Sequence, residues 1–268
     1  MTTEEFIAKI PLARKAEVLA YDDNGLVAVN KGAGLLSHPN PRPRPGEKTP
    51  FVRAHYSFDR EYFSWEDADC GKMRLYLVNR LDSPTSGVIL AASNPECARA
   101  AKLAFREKTA KKTYYAVCKN RPPATAGMWR DTIKKISAPG HVRSAADAGG
   151  AEAVTEFKME RMDANSLGVS LMKLEPITGK THQLRVQCAR RGLPILGDAT
   201  YGDFDINRRI KALTGIGRLL LHCASTSVTY SMGGNEFEFS AEAPLPESFL
   251  SIVDYNNKIF SATRGFRQ

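Results

Sequence analysis

The sequence predicts an α+β fold: a mixed, largely antiparallel sheet flanked by helices and loops. Three observations predict it. Strand-like runs recur at irregular spacing, which argues against a regular βαβ series and its parallel sheet. Helical periodicity is confined to a few segments between them. Hydrophobic residues make up 43% of the 268 residues, enough for a substantial core, and the 25% that are charged are usual for a globular chain.

"EVLAYDDNGLVAVNKGAGLLSHP" (Glu17–Pro39) reads as strand, turn, strand and loop, with Asn24-Gly25 as the hairpin signal. Gly32 and Gly34 permit tight turns after the second strand. Asn40–Pro50 is rich in proline and charge and is expected to be a surface loop. Phe51–Cys70 is irregular and aromatic-rich. Arg74–Val78 and Gly87–Ala92 read as two strands around a polar turn. "SNPECARAAKLAFREK" is a helix capped by Ser93 or Asn94, with Pro95 in its first turn and Cys97, Ala101, Ala104 and Phe105 on one face. Thr113–Cys118 is a strand. Gly127–Gly150, mostly polar, reads as an excursion. "AVTEFKME" and "LGVSLMKLE" alternate as strands. "KTHQLRVQCARRG" is a helix with Gly192 as C-terminal cap, and "GRLLLHCASTSVTY" is a further strand.

The net charge is +9, which suggests a polyanionic partner, most often nucleic acid. The basic residues cluster in three places. Lys102–Arg121 holds Lys102, Arg106, Lys108, Lys111, Lys112, Lys119 and Arg121 against Glu107; Lys180–Arg191 holds Lys180, Arg185, Arg190 and Arg191 with no acid; and Arg208, Arg209, Lys211 and Arg218 follow. Singly each is a solvated face; together, interleaved with Tyr114, Tyr115 and His182, they favour a groove for phosphates. The five cysteines are odd in number and not closely spaced, so neither zinc nor a disulfide framework is indicated, and a reducing cytosol fits. The N-terminus has acids near its start and no long apolar run, so it does not read as a signal peptide, and no window reaches a membrane span.

Four segments could carry chemistry. In "LVNRLDSPTSGVILAA", Asp82 sits on a turn between apolar runs; it either orders the turn or is a positioned nucleophile or base, kept ionised by a nearby cation. In "KTYYAV", Tyr114 and Tyr115 point to opposite faces, and one of them can stack on a base. In "EPITGKTHQLRVQCARRGLPILGDATYG", Thr181 and Arg185 are four apart and are expected to share a helix face, and Arg185 is a candidate partner for Asp82. "AVNKGAGLLSHP" is a glycine loop that lacks the phosphate-loop pattern. His182 and His222 are ligands, acid–base groups or satisfied polar residues. Hydrolase elbow, dinucleotide fingerprint and paired metal-binding histidines are all missing.

Taken together, "NKGAGLLSHP", "NRLDSPTSGVILAA", "KTYYAV" and "TGKTHQLRVQCARRGLPILGDATYG" resemble the RluA-type pseudouridine synthases in order and spacing. The resemblance runs from about Val18 to Val228. It implies one catalytic domain over residues 18–255, with insertions at about 40–70 and 127–150, an N-terminal extension (1–17), a C-terminal tail (256–268) and no S4 domain. It implies isomerisation of a uridine in RNA to pseudouridine, with no cofactor or metal. Asp82 matches the catalytic aspartate, Tyr114 the active-site tyrosine and Arg185 the basic partner of the aspartate. Leu184 matches the apolar residue near the uracil, and Arg80 the arginine that helps hold the flipped-out arrangement. Thr181, His182 and Lys112 complete the expected substrate contacts. Asn79 replaces a frequent His, and Gly32 a usual Pro. The stretch through Gly202, Asp203, Asn207 and Arg208 is similar to the TruC-like branch, which favours tRNA over rRNA. A cytoplasmic monomer without membrane or obligatory protein partner is expected. The alternatives are an rRNA pseudouridine synthase of the same family and a non-catalytic RNA-binding protein on the same fold.

Overall fold

The computed structural model describes residues 1–42, 46, 48–138, 141–147, 149–163 and 167–255. Parts of the Asn40–Pro50 loop and of the Gly127–Gly150 segment, and the tail from 256, lie outside them. In chain order the elements are α1 (Thr3–Ala8), β1 (Ala16–Tyr21), β2 (Leu26–Lys31), β3 (His55–Ser57), β4 (Tyr62–Asp67), β5 (Gly71–Leu77) and β6 (Ser86–Ala92). There follow α2 (Pro95–Arg106), β7 (Lys111–Lys119), β8 (Ala126–Ala138), β9 (His141–Ala146), β10 (Ala151–Met162) and β11 (Val169–Pro176). The last are α3 (Gln183–Arg190), α4 (Phe204–Thr214), β12 (Leu221–Met232), β13 (Asn235–Glu242) and α5 (Glu247–Val253). The chain packs as two compact units: Met1–Thr113 with His222–Pro244, and Tyr114–Leu221 with the described residues from Leu245. None of the described helices is long and apolar enough to cross a membrane.

The first unit is centred on β6, whose seven residues are all buried. An unbroken apolar run suits a strand covered on both faces. β2 pairs antiparallel along its length, from Leu26↔Ala92 to Lys31↔Gly87. β12 runs parallel to it at His222↔Ser86 and Cys223↔Gly87. Gly87 has φ +111°, and a Cβ there would lie 2.0 Å from the carbonyl oxygen of Cys223, so only glycine lets the two strands meet. Gly87→Ala is therefore expected to lower stability by about 2–5 kcal/mol, combining overpacking with a left-handed backbone. A urea melt checks this; a loss below about 0.5 kcal/mol, the scatter of a neutral surface change, would contradict the close approach.

α2 starts at Asn94, whose Oδ1 accepts from the Cys97 amide at 2.9 Å, as its sequence predicts. Small residues, Cys97, Ala98, Ala101 and Ala104, form its buried face. The aromatic stretch that looked irregular forms β3 and β4, extending the sheet through β5. Phe51, Tyr56 and Phe63 pack edge-on or tilted, with centroids 4.8–5.4 Å apart. The expected boundary at Val18 falls inside β1, and Phe6, Ile10 and Ala13 before it are buried. α1 carries a Thr2/Glu5 capping box, Phe6 is buried near Trp65, and Lys9 bonds Asp67 at 2.7 Å.

In the second unit the strand order is β7-β11-β10-β8-β9, all antiparallel. Successive residues of β7 face two different cores. Ala116 and Cys118 pack with Met172, Leu174 and the α3 residues Leu184 and Cys188. Val117 packs with Leu171, Ile210 of α4, and Phe249 and Ile252 of α5. The Gly127–Gly150 segment is not a polar excursion: β8 and β9 form a long hairpin on β10. Trp129, Asp131 and Ile133 alternate inward. The buried Asp131 side chain, which bonds Arg191 and Gln187, hides the apolar period.

Candidate active site

The first unit presents Asp82 on the turn between β5 and β6. Its carbonyl accepts from the Thr85 amide at 3.0 Å, which closes the turn through backbone. The turn is tied down from below. Lys31, at the end of the apolar strand β2, is fully buried; its Nζ donates to the carbonyls of Thr85 at 2.7 Å, Leu35 at 2.9 Å and Ser83 at 3.2 Å. The Gly32 carbonyl lies within reach as well, at 3.3 Å, so the ammonium is surrounded by backbone acceptors. Ser37 accepts from the Leu81 amide and donates to its carbonyl, at 3.0 and 2.7 Å. The Gly34 amide donates to the Ser83 carbonyl at 2.8 Å. The glycine loop and the Asp82 turn thus form one clamped body, with Asp82 itself half-buried.

Both departures from the usual family pattern have a physical place. The Gly32 amide donates to the carbonyl of Lys15 at 2.8 Å, and a Cβ would lie 2.5 Å from that oxygen. Proline supplies neither the donor nor the space. Asn79 Oδ1 accepts from the Leu90 amide at 2.7 Å, fixing the start of the turn to β6.

Arg80 is exposed and meets His38, Nη1 to Nε2, at 3.5 Å. His38 Nδ1 donates to the carbonyl of Pro39 at 2.8 Å, which leaves Nε2 as acceptor. The His38 ring stacks on Tyr56, whose hydroxyl is pushed up to about 12 by burial. Lys112, at the start of β7, is also in this unit, and burial lowers its ammonium. His222 is a satisfied core histidine: Nδ1 accepts from Ser86 Oγ at 2.9 Å and Nε2 donates to the carbonyl of Ala243 at 3.3 Å.

The second unit holds Tyr114, Thr181, His182, Leu184 and Arg185. Leu184 is buried in the core against which Tyr114 packs, so these two share an apolar cluster. Arg185 is 4% exposed. Its Nε and Nη2 donate to the two carboxylate oxygens of Asp198 at 2.7 and 2.8 Å, a bidentate pair. Asp198 also accepts from the amides of Thr200 and Tyr201, at 2.8 and 3.0 Å. Burial pushes the Asp198 carboxyl up, but the bonds and charge of Arg185, with the two amides, outweigh this and hold it below the usual range. The guanidinium lies 5.0 Å from the ring centre of Tyr201. Tyr201 Oη accepts from the Ser144 amide at 2.7 Å and bonds His182 Nδ1 at 2.8 Å. Arg185, His182, Tyr201 and Asp198 are therefore one network.

Thr181 and Arg185 do not share a helix face. α3 begins at Gln183, because its N-cap His182 is left-handed at φ 55°. That conformation costs a non-glycine residue about 1–2 kcal/mol, and the Tyr201 bond holds it in place. Thr181 is exposed and lines a small cavity of about 280 Å³ with Lys134, Lys135 and Lys180. Gln183 and Gln187 satisfy buried groups of β10: Gln183 bonds the Val154 carbonyl and Thr155, and Gln187 bonds the Ala153 carbonyl and Thr155.

The basic runs are less free than they look in one dimension. Arg190 and Arg191 both pair with Asp131, and Arg191 also covers Trp129. Lys119 pairs with Asp203, and Arg208 with Asp205. Arg218 lies over Phe249, and its burial lowers the guanidinium. The residues of the tRNA-like pattern also have internal work. Asp203 caps α4 by accepting from the Asp205 and Ile206 amides. Asn207 accepts from the Gly197 amide and donates to the Asp198 carbonyl. They brace the Asp198 turn and so Arg185. Sequence reasoning missed Lys31, Asp131 and Asp198. The signal at Lys31 is a lone charge ending an apolar strand; Asp198 follows the apolar "LPILG".

The profile of the RNA pseudouridylate synthase family matches residues 25–190, which hold the Asp82 turn, Tyr114 and α3. A Rickettsia conorii protein, ribosomal large subunit pseudouridine synthase C, is 32% identical over 243 residues, 88% of this chain and 72% of the relative. Ribosomal large subunit pseudouridine synthase D of Borreliella burgdorferi is 32% identical over 238 residues, 88% of this chain and 67% of the relative. Among solved structures, human RNA pseudouridylate synthase domain containing 4 superposes with a TM-score of 0.58 at 21% identity over 92% of each chain, which shows a shared fold. With the Asp82 turn and Arg185 inside the matched span, the chain belongs to the RNA pseudouridylate synthase family, RluA type, and is a pseudouridine synthase acting on RNA.

Proposed function

We propose that the protein isomerises a specific uridine of large-subunit ribosomal RNA, with Asp82 as the reacting carboxylate. The observation that carries the assignment is the clamping of the Asp82 turn by the buried Lys31, which donates to the carbonyls of Ser83 and Thr85 in the turn. Asp82 attacks C1′, or removes the 2′ proton and later returns it; either way the N1–C1′ bond breaks, the base turns, C5 bonds to C1′, the C5 hydrogen leaves as a proton and N1 takes one up. Arg185, pre-positioned by Asp198, holds the carboxylate ionised and oriented. Tyr114 packs on the uracil beside Leu184 and assists proton loss at C5. Arg80 helps hold the flipped-out arrangement, since extruding the base costs a few kcal/mol. Lys112, Thr181 and His182 contact the substrate.

Large-subunit rRNA is supported by the names of the relatives. The pattern that favoured tRNA on sequence grounds has the internal role described above, which removes its weight. The enzyme works as a monomer in the cytosol, where its cysteines stay reduced.

Tritium release from RNA labelled at uridine C5 tests the reading, since C5 loses its hydrogen only when the base is reattached there. Release from large-subunit rRNA and none from bulk tRNA is expected. Release from tRNA alone would overturn the target and leave the chemistry.

A further inference from the structure

We infer that the first unit carries a second RNA-binding groove, between α2 and the β4–β5 hairpin, which takes the phosphate backbone of the substrate outside the segment that holds the target uridine. The inference rests on RNA being the substrate. The groove encloses about 970 Å³, and no residue of the Asp82 turn lines it.

Its strand wall is built by register. Tyr62 and Tyr76 are directly opposite on β4 and β5, with ring centres 5.3 Å apart. Arg74, two residues along the same face, places its guanidinium 5.3 Å from the Tyr62 ring centre. The aromatic ring holds the cation at the groove edge. Its helix wall is built by periodicity. Arg99, Leu103 and Arg106, spaced by four and three, lie on one face of α2, opposite the buried Cys97, Ala101 and Ala104. Arg99 and Arg106 are separated by two turns, about 10 Å, far enough to address separate phosphates.

Charge decides the ligand. Lys102 also lines the groove but pairs with Glu61 at 2.6 Å. Arg74, Arg99 and Arg106 make no ion pair among the described residues, and Glu96 is the one acid in the lining. Several unpaired guanidinium groups on one concave surface repel each other unless a polyanion neutralises them. Their planar forks suit phosphate oxygens. Only Arg106 and Lys102 belong to a basic run of the sequence; Arg74 and Arg99 join them through the fold.

The test compares Arg99→Glu/Arg106→Glu with Arg99→Lys/Arg106→Lys, using a long rRNA fragment and a minimal hairpin that carries the target uridine. The glutamate pair is expected to raise KM for the long RNA about 10–30-fold with kcat unchanged, and to reduce the slope of log Kd against log salt by about 1.5–2, the share of two phosphates. KM for the hairpin is expected to stay at the wild-type value. The lysine pair, which keeps the charge, is expected to behave close to wild type, separating charge from fold. An unchanged KM and salt slope on the long RNA in an active enzyme would overturn the groove and leave the family reading standing. Equal losses on long RNA and hairpin would place these arginines in the target footprint and overturn a second site. If poly-glutamate, and not RNA, competes for the groove, it serves an acidic protein segment and the inference falls. A wild-type enzyme that releases no tritium from any RNA would instead sink the function, and the salt slope of binding would still decide the groove.

Discussion

Asp82→Asn is expected to lower tritium release at least about 10⁴-fold while changing RNA affinity by less than about threefold. The asparagine is isosteric, so it neither clashes nor leaves a hole, but it is neither a nucleophile at C1′ nor a base at the 2′ position. The structure explains why the fold survives. The turn is closed by the Thr85 amide on the Asp82 carbonyl and by Lys31 on the carbonyls of Ser83 and Thr85. None of these bonds uses the carboxylate. The melting temperature is therefore expected to stay within about 2 °C of wild type, less than 1 kcal/mol costs a domain of this size. A variant that still turns over at the normal rate would remove Asp82 from the chemistry. A variant that is inactive because it is unfolded would show in the melt, and the clamp would then be weaker than its bonds imply.

Much of this was legible in the chain because local rules and tertiary structure agree. Asn94 before Pro95 reads as a helix start and is one. Gly192 reads as a helix end and sits at φ 67° just past α3. The paired tyrosines of β7 read as facing opposite ways, and Tyr114 and Tyr115 pack on different cores. Sequence alone failed wherever a polar residue occupies a buried position. Asp131 breaks the alternation of β8, so a strand looks like a loop. His182 takes a left-handed turn that no pattern at Lys180–Arg190 announces, and this moves Thr181 off the helix that carries Arg185. Basic runs are visible in one dimension, but their acids are not. Asp131 and Asp198 lie far from, or just beyond, the arginines they bind, so charge counting overstates the free positive surface of α3. The groove beside α2 is the converse case, since its cations come from separate segments.

Asp198→Ala is expected to destabilise the protein by about 3–5 kcal/mol, because it leaves the buried Arg185 guanidinium without its bidentate partner. Activity is expected to fall as well, through the loss of Arg185 placement. The pH dependence follows from the sign of the shift. The Asp198 carboxyl is held below its unfolded value, so its stabilisation is complete above about pH 4, the unfolded carboxylate value, and is lost as pH falls through the lowered folded value. Asp198→Ala should therefore melt with a shallower acid limb than wild type. A second variant separates support from chemistry. In Arg185→Met/Asp198→Asn the buried charges go together, and the asparagine oxygen still accepts from the Thr200 and Tyr201 amides. Replacing a buried ion pair by neutral groups of similar volume is often neutral for stability, so this pair should recover most of the lost melting temperature. It should not recover turnover, because the cation proposed to keep Asp82 ionised is gone. Recovery of both would make Arg185 a structural residue only and would assign the orientation of Asp82 to another group; recovery of stability alone makes the arginine part of the reaction.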